Sequence, residues 1–158
     1  MALFEWTDDF VTGIEMIDKD HQLLVSLINQ LHAAIEADQY RDIIASVLTV
    51  LTEYTCTHFA REEKLLEKSD YPDLAEHREK HRNLSSQVIE IYRRYSENEA
   101  SDISTETLVF LKEWLTKHIL GSDMAYRPYV KDLFLTREEE MEAMSLDGKD
   151  VPSDLQWA

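Results

Sequence analysis

Residues 58–81 read HFAREEKLLEKSDYPDLAEHREKH. Within this stretch His58 and Glu62 stand four residues apart before a break at Pro72, and His77 and His81 stand four apart after it. Four residues of helix turn the chain through about 400°, so each pair projects from one face, one turn apart. Two such pairs on facing helices could grip a metal ion. A single pair of this kind is more often solvated or packed, so the rest of the chain has to decide.

Outward from this stretch, apolar residues recur at alternating spacings of three and four, the mark of bundle helices. A first helix is predicted over 19–37, capped by Asp18 or Asp20, with His21, Leu24, Ile28, Leu31 and Ile35 on one stripe. The second, 41–67, carries Ile44, Val47, Leu51, Tyr54, His58, Glu62 and Leu65, which places Glu62 at a core position. The third, 72–96, has Pro72 in its first turn and then Leu74, His77, His81, Leu84, Val88, Ile91 and Tyr95. The fourth, 103–120, presents Leu108, Leu111, Leu115 and His118; Gly121 then separates it from Asp123 and a shorter apolar segment through Tyr126, Tyr129 and Phe134. Residues 1–17 alternate polar and aromatic without a helical period and read as an arm packed on the domain. Only Pro72 interrupts residues 14–120 among the prolines and glycines. The fold expected is all-α: an antiparallel up-down-up-down four-helix bundle over residues 1–135, with an N-terminal arm and an acidic C-terminal extension over 136–158.

A chain of 158 residues can bury a real core and needs no metal merely to fold. Its formal net charge of −16 repels phosphate backbones and acidic membrane surfaces, so neither nucleic acid nor membrane insertion is expected. No apolar run approaches the length of a membrane span, and MALFEWTDDF does not have the form of a secretory signal, so a cytoplasmic location is expected. The single cysteine, Cys56, adds nothing against a reducing compartment.

In the expected topology the starts of the first and third helices lie at the same end as the finishes of the second and fourth. His21, His58, Glu62, His77, His81, His118 and Asp123 therefore converge. Five histidines and two carboxylates on core stripes would be costly without a shared charge partner, and a cation supplies one. The set is too large for one four-coordinate zinc and suits two adjacent six-coordinate ions of the iron or manganese kind. If both carboxylates and one oxygen bridge the ions, a single coordination position stays open for a small ligand.

The order His21, HFARE, HREKH and HILGSD, together with the FEWTDDF arm, resembles the hemerythrin family in its single-domain bacterial form over about residues 3–130. The resemblance implies two iron ions joined by an oxo or hydroxo bridge. His77, His81 and His118 would hold one and His21 and His58 the other, with Glu62 and Asp123 spanning both. It implies reversible binding of dioxygen, for carriage, storage or sensing, rather than catalysis. It also implies an apolar oxygen pocket, and the matching positions are Leu24, Phe59, Trp114, Leu115 and Tyr126, with Leu115 best placed as a gate. A di-iron enzyme, or a protein handling iron, peroxide or nitric oxide, is the alternative. Ferritin-like enzymes, however, build from ExxH spacing and more carboxylates, whereas this chain has HxxxE and HxxxH.

Three polar residues fall outside the expected set. His32 lies about 16 Å along the helix from His21. Cys56 projects away from the His58 face, and Glu63 is expected to point elsewhere and be solvated. The tail TREEEMEAMSLDGKDVPSDLQWA reads as a solvated extension, partly helical and partly disordered, with packing over the bundle or recruitment of a partner, through Leu155 and Trp157, as the second reading.

Overall fold

The structure, a computed structural model, describes residues 2–97, 102–131 and 133–147. After a 3₁₀ turn at Asp8–Phe10 come α1 (Glu15–Glu36), α2 (Arg41–Lys68), α3 (Leu74–Glu97) and α4 (Thr105–Lys117). A π turn over His118–Asp123 leads directly into α5 (Met124–Val130), and α6 (Arg137–Asp147) follows. α1 packs on α2 and α4, and α2 packs on α3. There is no strand among the described residues, and the bundle expected from the sequence is the fold observed.

The helix ends show why so few glycines suffice. α1 and α2 both stop with an aspartate in the left-handed region, Asp38 at φ 53° and Asp70 at φ 55°. Behind each, the chain closes with a paired turn: Gln39 N–H to Ala34 O at 3.0 Å and Asp38 N–H to Ile35 O at 3.1 Å, then Tyr71 N–H to Leu66 O at 3.1 Å and Asp70 N–H to Glu67 O at 3.2 Å. Aspartate tolerates this conformation better than most side chains, so it serves where glycine is usual.

Two helix starts differ from expectation. α1 begins at Glu15, and Asp18 lies inside it rather than capping it. The Asp18 carboxylate reaches back to accept from Thr12 N–H at 2.8 Å, Thr12 Oγ1–H at 2.7 Å and Gly13 N–H at 3.1 Å, securing the bend where Gly13 takes φ 85°. α3 begins at Leu74, so Pro72 sits in the preceding turn and not in the helix.

Two apolar clusters fill the interior. The larger joins Leu24, Ile28 and Leu31 of α1, Leu48, Leu51 and Phe59 of α2, Leu84 and Val88 of α3 and Leu108, Leu111 and Leu115 of α4. The smaller closes one end of the bundle and joins Ile14, Ile17, Leu65, Leu66, Tyr71, Tyr126 and Val130, with Leu133 and Leu135 packed against it. One stretch of α2 does reach a mean hydropathy of 1.2, long and apolar enough by composition to span a membrane. That helix is a core element here, with ten buried residues that include His58 and Glu62.

The N-terminal arm is held by apolar and polar contacts together. Phe4 and Phe10 are buried, and Trp6 stacks on Phe10 at 5.4 Å. Asn29 of α1 pairs with the Phe4 backbone in both directions, accepting from its N–H at 2.9 Å and donating to its carbonyl at 2.8 Å. Asn29→Ala should therefore destabilise the protein by about 1–3 kcal/mol through two unpaired backbone groups, measured as a shift in the urea midpoint.

Candidate metal centre

All seven residues expected to converge do so at the end of the bundle next to the smaller cluster, and all seven are buried. Glu62 is fully enclosed and its two oxygens face different helices. Oε1 lies 2.7 Å from His77 Nε2 and 3.0 Å from His81 Nε2. Oε2 lies 3.3 Å from His58 Nε2 and 3.7 Å from His21 Nε2. Asp123 divides in the same sense, with Oδ1 3.2 Å from His77 and 3.1 Å from His118, and Oδ2 3.1 Å from His21. The donors thus form two groups: Glu62, His77, His81, His118 and Asp123 in one, His21, His58 and Glu62 in the other, with donor atoms in each within 4.8 Å of one another.

His118 and Asp123 owe their shared direction to the π turn. Five residues of α-helix leave two side chains about 140° apart. A π turn, bonded five residues back, brings them close to one face. Gly121 was expected to end the fourth helix, yet the chain runs through it without a break.

The arrangement fits a cation. Both ring nitrogens of His21 and both oxygens of Asp123 are buried without a hydrogen-bond partner, and orphaned polar atoms at such depth are costly. His81 Nε2 and His118 Nε2 face each other across 3.1 Å; with His81 Nδ1 donating to Glu63, a neutral pair can meet there only as His118 N–H donating to His81, and a cation accepted by both nitrogens fits the same gap. Burial by itself would raise the Glu62 carboxyl, but contacts from four histidines outweigh it and hold it well below the usual range. For Asp123, burial and the Glu62 charge oppose ionisation, and His118 and His21 still keep the group low. His58, disfavoured as a cation by burial, is pushed up to about 10 by Asp20 and Glu62. His77 rises to about 9 against burial through Asp123 and Glu62. Burial dominates at His118 and lowers it. The two buried carboxylates draw positive charge into the site, which protonated imidazoles or a bound cation can supply.

Behind the cage lies a layer that the spacing did not show. His58 Nδ1 lies 2.9 Å from Asp20 Oδ2, and Asp20 is in turn clamped by Arg61 at 2.7 and 3.3 Å and by the Tyr54 hydroxyl. Asp20, expected as a helix cap, instead orients a candidate ligand. Glu63 also departs from expectation: it is not solvated but bonds His81 Nδ1 at 2.9 Å while pairing with Arg78 at 3.3 Å. Asp20 precedes His21 and Glu63 follows Glu62, and a carboxylate beside a candidate ligand was the only signal available in sequence.

The five expected pocket residues separate. Leu24, Phe59 and Leu115 line a largely apolar cavity of about 20 Å³ with Ile28, Leu51, Thr55, Leu84, Val88 and Leu111. That is room for about one water-sized guest. Phe59 stacks on the His81 ring at 3.9 Å, which joins the cavity wall to the cage. Trp114 lies outside that cavity, half-buried and stacked on His118 at 4.6 Å, lining a surface cleft. Tyr126 is in the smaller cluster, and its hydroxyl donates to Glu62 Oε2 at 2.9 Å. His32 lies near Glu36 at 3.6 Å, away from the site, and Cys56 is a buried thiol.

A helical bundle with a buried, two-part histidine and carboxylate cage at one end is a metal-binding bundle protein. The family described as hemerythrin HHE cation binding domain matches residues 12–130. A bacteriohemerythrin of Stenotrophomonas maltophilia is 38% identical over 131 residues, covering 83% of this chain and 84% of the relative. One of Methylococcus capsulatus is 31% identical over 129 residues, 81% of this chain and 97% of the relative. The crystal structure of a wild-type hemerythrin superposes with a TM-score of 0.77 at 28% identity, covering 82% of this chain and 99% of that one. The chain belongs to the hemerythrin family.

Prepared without metal, the protein should show the charge of its cage in its pH response. His58 and His77 titrate higher folded than their ordinary 6.5, so the stability they contribute is complete below about 6.5 and is lost as pH rises through about 9 to 10. The melting temperature of the metal-free protein should fall across that window. Bound metal requires these rings deprotonated and should remove the decline, which scanning calorimetry on both forms would measure.

Proposed function

We propose that this chain binds dioxygen reversibly at a non-haem centre of two iron ions. The observation that carries the reading is the division of the Glu62 and Asp123 oxygens between two groups of buried imidazoles. His77, His81 and His118 would hold one ion, His21 and His58 the other, and the two carboxylates would span both, with an oxo or hydroxo bridge completing the pair. When bound, the iron pair supplies the electrons that dioxygen binding draws on.

The chain's own residues do the remainder. Asp20 and Glu63 fix the rings of His58 and His81 through their outer nitrogens, which leaves the inner nitrogens directed at the cage. Tyr126, whose phenol burial raises well above its ordinary range, stays protonated and donates to Glu62, fixing one carboxylate oxygen. Leu24, Phe59 and Leu115 keep the adjoining cavity dry, which slows proton entry. A cavity of about 20 Å³ has space for a diatomic guest and none for an organic substrate, which suits a small gaseous ligand.

Two irons per chain are expected after iron-replete expression and anaerobic reduction. Admitting air should bring up a visible band that argon sparging removes. A single zinc by elemental analysis, or a band that air bleaches irreversibly with substrate turnover, would remove the reading. Leu115→Ala should leave iron content unchanged while shortening the lifetime of the oxygenated band and admitting azide faster, each by roughly tenfold for a barrier lowered by about 1.4 kcal/mol. Stopped-flow absorbance follows both rates; wild-type values for both would make Leu115 core packing alone.

A further inference from the structure

The segment after α5 lies beyond residues 12–130, which the family covers, and α6 packs along α2. Its start is a reciprocal cap: Thr136 Oγ1 accepts from Glu139 N–H at 3.1 Å while Glu139 Oε1 accepts from Thr136 N–H at 3.0 Å. The same Glu139 oxygen takes Lys68 Nζ at 3.0 Å, and Lys68 also donates to the Phe134 carbonyl at 2.6 Å. One helical turn earlier in α2, Lys64 pairs with Glu142 at 3.2 Å. As α2 is followed backwards α6 is followed forwards, so the helices run antiparallel. Ala143 is fully buried, whereas Met141 and Phe134 are 62% and 80% exposed. Among the described side chains of α6, the contacts to α2 are two ion pairs, with Ala143 buried between the helices.

Its lead-in does the opposite. Leu133 and Leu135 pack onto the cluster of Leu65, Leu66, Tyr126 and Val130, directly beyond Glu62. Tyr126 in that cluster is the hydroxyl donor to Glu62. Removing the lead-in would open to water the layer that shields a carboxylate common to both donor groups.

We propose that residues 133–147 are a positioning clasp: the Lys64 and Lys68 ion pairs with α6 hold Leu133 and Leu135 over the Tyr126–Glu62 contact and so set how fast metal leaves the cage. The clasp rests on the metal-holding reading of the cage, but its latch is electrostatic and partly exposed. Salt loosens such pairs, as the screening length shortens from about 10 Å at 0.1 M to about 3 Å at 1 M.

The test uses the full chain loaded with iron(II) anaerobically and measures transfer of iron to an excess of bipyridine at low and high sodium chloride. Wild type should release iron about fivefold faster in high salt, the scale of one partly exposed pair. Lys64→Glu and Lys68→Glu should each release it about fivefold faster at low salt and respond less to added salt. The exchanged pair Lys64→Glu with Glu142→Lys should recover the wild-type rate, which a loss of general stability would not do. Single variants that match wild type, or an exchanged pair that stays as fast as Lys64→Glu, would overturn the clasp. Amide hydrogen exchange on the metal-free protein separates this from the fate of the proposed function. Faster exchange at Leu65, Leu66 and α6 in the two single variants supports the clasp even in a chain that takes up no iron, and unchanged exchange overturns it.

Discussion

Everything at the cage end of the bundle depends on one buried carboxylate. Glu62 has no solvent exposure, and four imidazoles from three helices lie within 3.7 Å of its two oxygens. An ionised carboxylate at that depth is tolerated only with compensating charge or strong hydrogen bonds. The compensation fixes the relative rotation of α1, α2 and α3, because each must present its histidine to the same two atoms. Apolar packing alone, which is non-directional, would not specify those rotations so sharply.

The cage is graded rather than symmetric. His58 is supported by Asp20, itself buried and clamped by Arg61 and Tyr54, so its orientation is fixed by a network of several charges. His81 is supported by Glu63, which is half-buried and shares its other oxygen with Arg78 at the rim of a surface groove between α2 and α3. Support that is deeper and more fully satisfied orders a ligand more strongly. The two halves of the site thus differ in their outer layer as well as in the number of histidines each contains.

Burial and polarity also divide the space around the cage. Towards the middle of the bundle the neighbours are Leu24, Phe59 and Leu115, with a small apolar cavity among them. Towards the end of the bundle the neighbour is Tyr126, which brings a hydroxyl to Glu62 and a ring that packs edge-on against Tyr71 at 6.2 Å. The apolar side offers a guest no polar group but the Thr55 hydroxyl, which donates to the Leu51 carbonyl at 2.7 Å, and the phenolic side satisfies a carboxylate. The same cage therefore presents a dry face and a structural face.

The sequence by itself determined the helices, their inward stripes and the seven residues that meet, because apolar spacing of three and four fixes a face and four residues bring His58 to Glu62 and His77 to His81. It also carried the order of motifs that identifies the hemerythrin family. It did not show that Glu63 and Asp20 hold histidines. Their partners lie 18 and 38 residues away in the chain, and only helix packing brings those distances to 2.9 Å. Nor did it show that Tyr126 belongs with Glu62 rather than with Leu115, since six residues of π turn rotate everything after His118 relative to an α-helical count. The acidic tail read as solvated, yet its described part packs as α6 against Lys64 and Lys68; Leu155 and Trp157 lie outside the described residues. Local periodicity decides which face of a helix is buried, whereas the atom a polar side chain meets there is set by the neighbouring helix, and that is a property of the tertiary structure alone.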